Sequence, residues 1–178
     1  SLMILPIFAT PFAIGFMFFT ILFEISGPLA WMGIPFLSNH NWAPFSVMLV
    51  DVWQWTPFCF LVFLAALQGI PDDLIEAATL DTKSAYKIWT SVILPQLQPI
   101  IVLVILLRVA ESAKLYDYIA SLTKGGPGTA TQSVSFLVFN KAFKMNDFGY
   151  ASAGSFLMLI VVMVFVMLFF TRLRKTYE

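Results

Sequence analysis

Of the 178 residues, 60% are apolar, 16% aromatic and only 11% charged, against about 25% charged in a typical water-soluble domain. With a mean hydropathy of +0.87, too little polar surface is left to cover a globule in water, and the chain reads as a membrane protein. Ten Lys and Arg balance ten Asp and Glu, which argues against an electrostatic grip on nucleic acid or on an anionic membrane surface. One cysteine, Cys59, and one histidine, His40, leave no internal disulfide and no Cys/His metal cluster.

Residues 2–23 form a run of 22 without a charge, interrupted by Pro6 and Pro11, long enough to cross about 30 Å of hydrocarbon. The run begins with neither a basic segment nor a small-residue cleavage site, so it is not a signal peptide. A start in mid-span leads us to expect further sequence before Ser1. Residues 24–44 hold Gly27-Pro28, Gly33, Pro35 and Ser38-Asn39-His40-Asn41, a turn-rich loop whose Trp31 and Trp42 suit the membrane face. A second span covers 45–67, with Asp51, Gln54 and Pro57 inside it. Residues 71–94 carry Asp72, Asp73, Glu76, Asp81, Lys83 and Lys87, too polar to cross a bilayer. A third span covers 96–118, opened by Pro95 and Pro99 and carrying Arg108, Glu111 and Lys114. The glycine-rich loop 123–129 leads to a short interfacial amphipathic helix over 133–143 and an uncharged fourth span over 150–170. The fold class is an all-α membrane protein, a bundle with four visible transmembrane helices and one polar loop between the second and third.

Basic residues near span ends orient such bundles. With the 71–94 loop and the C-terminus in the cytoplasm, that side holds Lys83, Lys87, Arg172, Arg174 and Lys175, against Lys124, Lys141 and Lys144 outside. Span parity agrees.

The 71–94 loop reads as two short helices. Asp73 is placed to cap the first and Glu76, three residues on, to close a capping box. Leu74, Ile75, Ala78 and Leu80 make a small apolar face. Asp81 or Thr82 is placed to cap a second helix that stops at Val92-Ile93-Leu94-Pro95. A short amphipathic pair between two spans fits a groove on another protein, although an ordinary polar connection has the same composition.

Ionisable groups within a span are functional candidates. Arg108 and Glu111 (i, i+3) can pair, and Ser112 and Leu115 continue their stripe. Asp51, Gln54, Trp55 and Phe58 repeat the pattern on the second span, so the two stripes can line one wet cavity. The same residues also fit a structural ion pair, either Arg108 with Glu111 or Arg108 with Asp51 across the helices. His40 reads as a solvated loop residue, while Cys59 and the eight methionines read as packing. Residues 125–129 lack the Gly-Lys-Ser/Thr tail of a phosphate-binding loop, so this chain is not expected to bind ATP. No Ser-His-Asp, Cys-His or paired-carboxylate constellation can be placed in one compartment, so the chain is not expected to be an enzyme.

Glu76-Ala77-Ala78, then Asp81, then Val92-Ile93-Leu94-Pro95 resembles the EAA motif of the membrane subunits of binding-protein-dependent ABC importers. Thr82 stands where that family usually has glycine, and Val92 where it usually has isoleucine. The resemblance runs over the whole chain, through Leu5-Pro6, Pro11, Val52-Trp53, Thr56-Pro57, Ile70-Pro71-Asp72-Asp73, the 123–128 loop and Phe148-Gly149-Tyr150-Ala151, and is nearest to the maltose and glycerol-3-phosphate permeases.

The resemblance implies one transmembrane domain of the type I permease fold over 1–178, with N-terminal spans of the family missing and 71–95 as the coupling loop. It implies a multi-pass location in a bacterial or archaeal cytoplasmic (inner) membrane. Glu76, Ala77, Ala78, Asp81, Thr82, Leu94 and Pro95 would engage a cleft on an ATPase subunit. By register, Asp51, Gln54, Trp55, Phe58, Arg108, Glu111, Ser112 and Leu115 would face a sugar-like substrate. The implied partners are two ABC ATPase subunits holding ATP and Mg, a second homologous permease, an extracytoplasmic solute-binding protein and membrane lipid. From other classes, a gradient-driven transporter or channel would use Asp51, Arg108, Glu111 and Asp117 as an ion relay, and a structural scaffold would only assemble partners.

Overall fold

Thr10-Pro11 decides how the chain begins. A residue before proline is pushed out of the helical region, and Thr10 is extended (φ −64°, ψ 141°) while its hydroxyl accepts from the Ala13 amide at 3.4 Å. The first apolar run is therefore two helices, α1 (Leu5–Phe8) and α2 (Pro11–Leu22), where one span is expected from hydropathy. The structure, a computed structural model, describes residues 5–177, with side chains described through residue 171.

After a 3-10 turn over Ala30–Met32, α3 (Trp42–Gln68) runs through Pro57. The polar 71–94 segment holds α4 (Asp72–Asp81) and α5 (Ala85–Ile88), and α5 passes through a π-helical turn at Trp89–Ile93 into α6 (Leu94–Ala113). A second π turn, Ile119–Thr123, precedes α7 (Val134–Phe139), which ends in a third at Asn140–Lys144, and α8 (Phe148–Tyr177) closes the chain. Among the described residues, Trp42–Gln68, Ala85–Ala113 and Phe148–Thr171 are long and apolar enough to cross a membrane, and Pro11–Leu22 is a shorter apolar helix.

Two expected boundaries move. The helix of α5 does not stop at Val92–Pro95 but continues to Ala113, because the π turn widens the hydrogen-bond register just where Pro95 has no N–H to give. The third span ends at Ala113, not at 118, and Lys114 caps it with its amide on the Glu111 carbonyl at 3.0 Å. The interfacial helix is as expected in place: Ser133 caps it by accepting from the Phe136 amide at 3.1 Å.

The core lies at the end of the bundle away from α4. Ile14, Phe18 and Leu22 of α2, Val47 and Val50 of α3, Tyr118, Ile119 and Leu122, and Phe136 of α7 are buried together. The most apolar stretch of α8 buries nothing within the chain, as a lipid-facing helix has no hydrophobic drive to hide from its solvent.

At Gly15, α2 meets the Ile119–Thr123 turn so closely that a Cβ would stand 1.7 Å from the Ser121 hydroxyl oxygen and 2.9 Å from its Cβ. Gly15→Ala is expected to cost about 1–3 kcal/mol by overpacking. Thermal unfolding in detergent checks this, with Ser121→Gly in the same chain restoring most of the loss.

Candidate functional site

The α4 helix starts one residue before the expected cap. Pro71 occupies the N-cap position without a side-chain bond, so Asp73 lies in the first turn beside Asp72 and the Asp73–Glu76 capping box does not form. Both carboxylates instead lie where the helix dipole favours them. Neither Asp81 nor Thr82 caps α5, which begins at Ala85 after an N-cap Ser84 that makes no side-chain bond. Thr82 is extended (φ −152°, ψ 139°), and its hydroxyl oxygen accepts from the Ser84 amide at 3.2 Å. Replacing the family's usual glycine therefore introduces no left-handed backbone here. No residue of α4 or α5 is buried. Leu80 is 88% and Tyr86 77% exposed, and Glu76, Ala77, Asp81, Leu94 and Pro95 are exposed too, with Ala78 and Thr82 half-buried. This is a rigid amphipathic surface that the chain itself leaves uncovered.

Of the eight residues expected around a cavity, four meet. The Arg108 guanidinium, on α6, donates through Nη2 to Asp51 Oδ2 on α3 and lies 4.7 Å from the ring centre of Trp55, one turn on from Asp51. Phe58 meets Trp55 edge-to-face at 5.8 Å. Arg108 Nη1 is buried and has no hydrogen-bond partner among the described residues. Of the two pairs expected for Arg108, the one with Asp51 forms and the one with Glu111 does not: Glu111 takes Lys114 at 3.1 Å in an exposed pair, and Asp51 holds Arg108 where their side chains are only 15% and 19% exposed and an unpaired charge is most costly.

The other residues face elsewhere. Gln54, 5% exposed, is engaged by neighbouring segments: Nε2 donates to the carbonyls of Pro6 (3.3 Å) and Ala9 (3.0 Å), and Oε1 accepts from the Tyr118 hydroxyl. Ser112 lines a 620 Å³ groove against α7 and α8. Leu115 lies beyond the end of α6 and packs on the core. Neither that groove nor a second one of 630 Å³ beside α8 is lined by Asp51, Trp55, Phe58 or Arg108.

One polar device was not expected from sequence. Glu24 closes the 24–41 loop, with Oε1 accepting from the Leu37 and Ser38 amides at 2.7 Å each and Oε2 from the Ser38 hydroxyl at 2.6 Å. Burial pushes its pKa up, but the Ser38 hydroxyl and the Ser38 and Leu37 amides outweigh burial and hold it below the ordinary 4.5. A depressed carboxyl pKa stabilises the fold above the unfolded value and loses that contribution as pH falls through the folded one. Hydrogen exchange at Leu37 and Ser38, corrected for intrinsic rates, should therefore show the loop opening only below about pH 4.5. Glu24→Gln should leave it partly open at every pH.

The family model for the inner membrane component of binding-protein-dependent transport systems matches residues 1–178. The trehalose/maltose transport system permease MalF of Thermococcus litoralis is 39% identical over 142 residues, 80% of this chain and 46% of that protein. The multiple sugar-binding transport system permease MsmF of Streptococcus mutans is 34% identical over 152 residues, 83% of this chain and 52% of that protein. The chain thus spans about half the length of these relatives. Among solved structures, a bacterial ABC transporter involved in import of the acidic polysaccharide alginate superposes with a TM-score of 0.86 at 22% identity, over 98% of this chain and 64% of that one, a likeness of fold. With a model matched from end to end and apolar helices fit to cross a bilayer, the chain belongs to the inner membrane components of binding-protein-dependent transport systems, as a multi-pass protein similar to carbohydrate permeases.

Proposed function

We propose that the chain is a permease subunit of an ATP-driven importer, moving a sugar or related polar solute across the cytoplasmic membrane by alternating access. The observation that carries this reading is the uncovered α4–α5 pair, joined directly to the two helices that bring Asp51, Trp55 and Arg108 together. Displacement of that pair moves both walls of the site. Residues 1–178 act as one transmembrane domain, with 71–95 as the coupling loop. Glu76, Ala77, Ala78, Asp81, Thr82, Leu94 and Pro95 dock in a cleft on an ATPase subunit, while ATP and Mg are held by two such subunits and hydrolysis occurs there. A second related permease completes the pore. A soluble binding protein delivers solute to the outer loops, chiefly 24–44 and 122–147. The carbohydrate names of the relatives support a sugar as the cargo, and membership of a binding-protein-dependent family favours the importer over a gradient-driven transporter.

Affinity capture of the tagged chain from its native membrane in mild detergent, followed by mass spectrometry, tests the assembly. An ATPase, a second permease and a binding protein should be recovered with it. The chain alone, from an intact preparation, would move the reading to a gradient-driven carrier.

A further inference from the structure

The residues best suited to a sugar are already in use within the chain. A pyranose ring is held by an acceptor for its hydroxyls and an aromatic face for its C–H surface. Along α3, Asp51 and Trp55 offer both, one helical turn apart, with Phe58 a turn further. The Arg108 guanidinium takes both at once, bound to Asp51 Oδ2 and lying 4.7 Å from the Trp55 ring centre. We propose that Arg108 is a built-in occupant of the sugar platform, and that substrate binds by displacing its guanidinium from Trp55 and Asp51. This inference rests on the permease reading above.

Two further observations fit an occupant that is meant to leave. Its seat is incomplete, since among the described residues Arg108 Nη1 is buried without an acceptor while Nη2 carries the bond to Asp51. Arginine–carboxylate pairs are frequently bidentate, and this one is recorded through Nη2 alone. The guanidinium also has somewhere to go. Glu111 stands at i+3 on the same helix, within reach of an arginine side chain, and at present holds Lys114 in a pair whose side chains are 43% and 65% exposed. Such an exposed pair is weak and easily exchanged. Displacement then trades one carboxylate for another: Arg108 passes from Asp51 to Glu111, Lys114 is released to water, and Asp51 and Trp55 are freed together for the solute. The group sums to zero charge, with Asp51 and Glu111 against Arg108 and Lys114, so the exchange moves charge within the site without adding any. Between deliveries, the covered platform keeps the empty permease from holding stray solute.

The test uses the assembled complex in lipid nanodiscs without binding protein, with labelled trehalose and labelled maltose as probes in equilibrium dialysis. Arg108→Gln removes the competitor and should tighten probe binding about tenfold, the scale of one desolvated cation–π contact. Glu111→Gln removes the receiver and should weaken binding, and this effect should vanish when Arg108→Gln is already present. Weaker binding in Arg108→Gln would overturn the proposal and make Arg108 a ligand. Loss of the Glu111 effect's dependence on Arg108 would overturn it equally. Asp51→Asn and Trp55→Ala should weaken binding whichever role Arg108 has, so unchanged binding in both overturns the site itself and leaves the Arg108 question behind. If Arg108→Gln fails to assemble, Arg108→Lys, which keeps the charge but cannot lie flat on the ring, should tighten binding by a smaller factor. In the unaltered complex, either probe should shift tryptophan emission, and Trp55→Phe should abolish the shift.

Discussion

Replacing Gln54 by leucine is expected to destabilise the chain by about 2–4 kcal/mol. The side chain makes three hydrogen bonds, to the Pro6 and Ala9 carbonyls and from the Tyr118 hydroxyl, and leucine of similar size satisfies none of them. At about 0.6 kcal/mol for each interhelical bond in a membrane protein, three give a lower bound near 2 kcal/mol. The upper figure comes from the larger penalty for leaving buried polar atoms without partners. The Ala9 carbonyl matters most, because the chain leaves the helical path at Ala9-Thr10 to start α2 and the break itself removes its helical donor. Tyr118→Phe deletes one of the three bonds and should cost about 1 kcal/mol. Thermal unfolding in detergent measures both, and solute affinity per folded complex should stay near normal in each. A normal unfolding temperature with altered affinity in Gln54→Leu would return that residue to the cavity.

That Gln54 braces the bundle was not legible from spacing. Asp51, Gln54, Trp55 and Phe58 fall on one helical stripe, yet a stripe spans an arc wide enough for one member to turn inward. Only the packing of α1 beside α3 brings the Pro6 and Ala9 carbonyls to Gln54. Arg108 shows a related limit. The sequence offered it two partners, Glu111 at i+3 and Asp51 on the facing span, and could not choose between them, because helix spacing carries no information on how closely the facing helix approaches; Asp51 lies 57 residues away in the chain. The Glu24 clasp was hidden for the same reason, since its partners lie 13 and 14 residues on in a loop without periodicity.

Local chemistry was more readable. Hydropathy located the second span, 45–67 against Trp42–Gln68, to within three residues, and Ser133 before an apolar run marked the start of α7. Thr10-Pro11 carried an N-cap and first-turn signal that hydropathy averaging concealed. Pro95 was read as a stop because proline usually ends a helix. The π turn before it absorbs the missing donor and lets one helix connect the α4–α5 segment to Arg108. Proline in a span marks irregular hydrogen bonding, and the neighbouring turn decides whether the helix ends or only shifts register.

If α4 docks on an ATPase subunit as proposed, that continuity gives it leverage on the spans, and Glu76→Lys is expected to lower uptake at least tenfold while leaving the chain folded. Within α4 the change is mildly favourable. Glu76 lies four residues after Asp72 and three after Asp73, and reversing its sign replaces two like-charge neighbours with two opposite ones, a gain of a few tenths of a kcal/mol each. The side chain is exposed, and the helix bond from the Thr79 hydroxyl goes to the Glu76 backbone carbonyl at 2.7 Å, which the substitution leaves in place. Any loss must therefore arise where α4 meets another protein. Reversing a charge in a desolvated protein–protein contact typically costs 2–5 kcal/mol, and about 1.4 kcal/mol already corresponds to tenfold. The expected result is normal membrane insertion and unfolding temperature, fewer ATPase subunits per captured permease, and uptake reduced in proportion. Normal ATPase content with normal uptake would remove Glu76 from the interface. Normal content with lost uptake would place it in transmission of movement through the Trp89–Ile93 turn to Arg108.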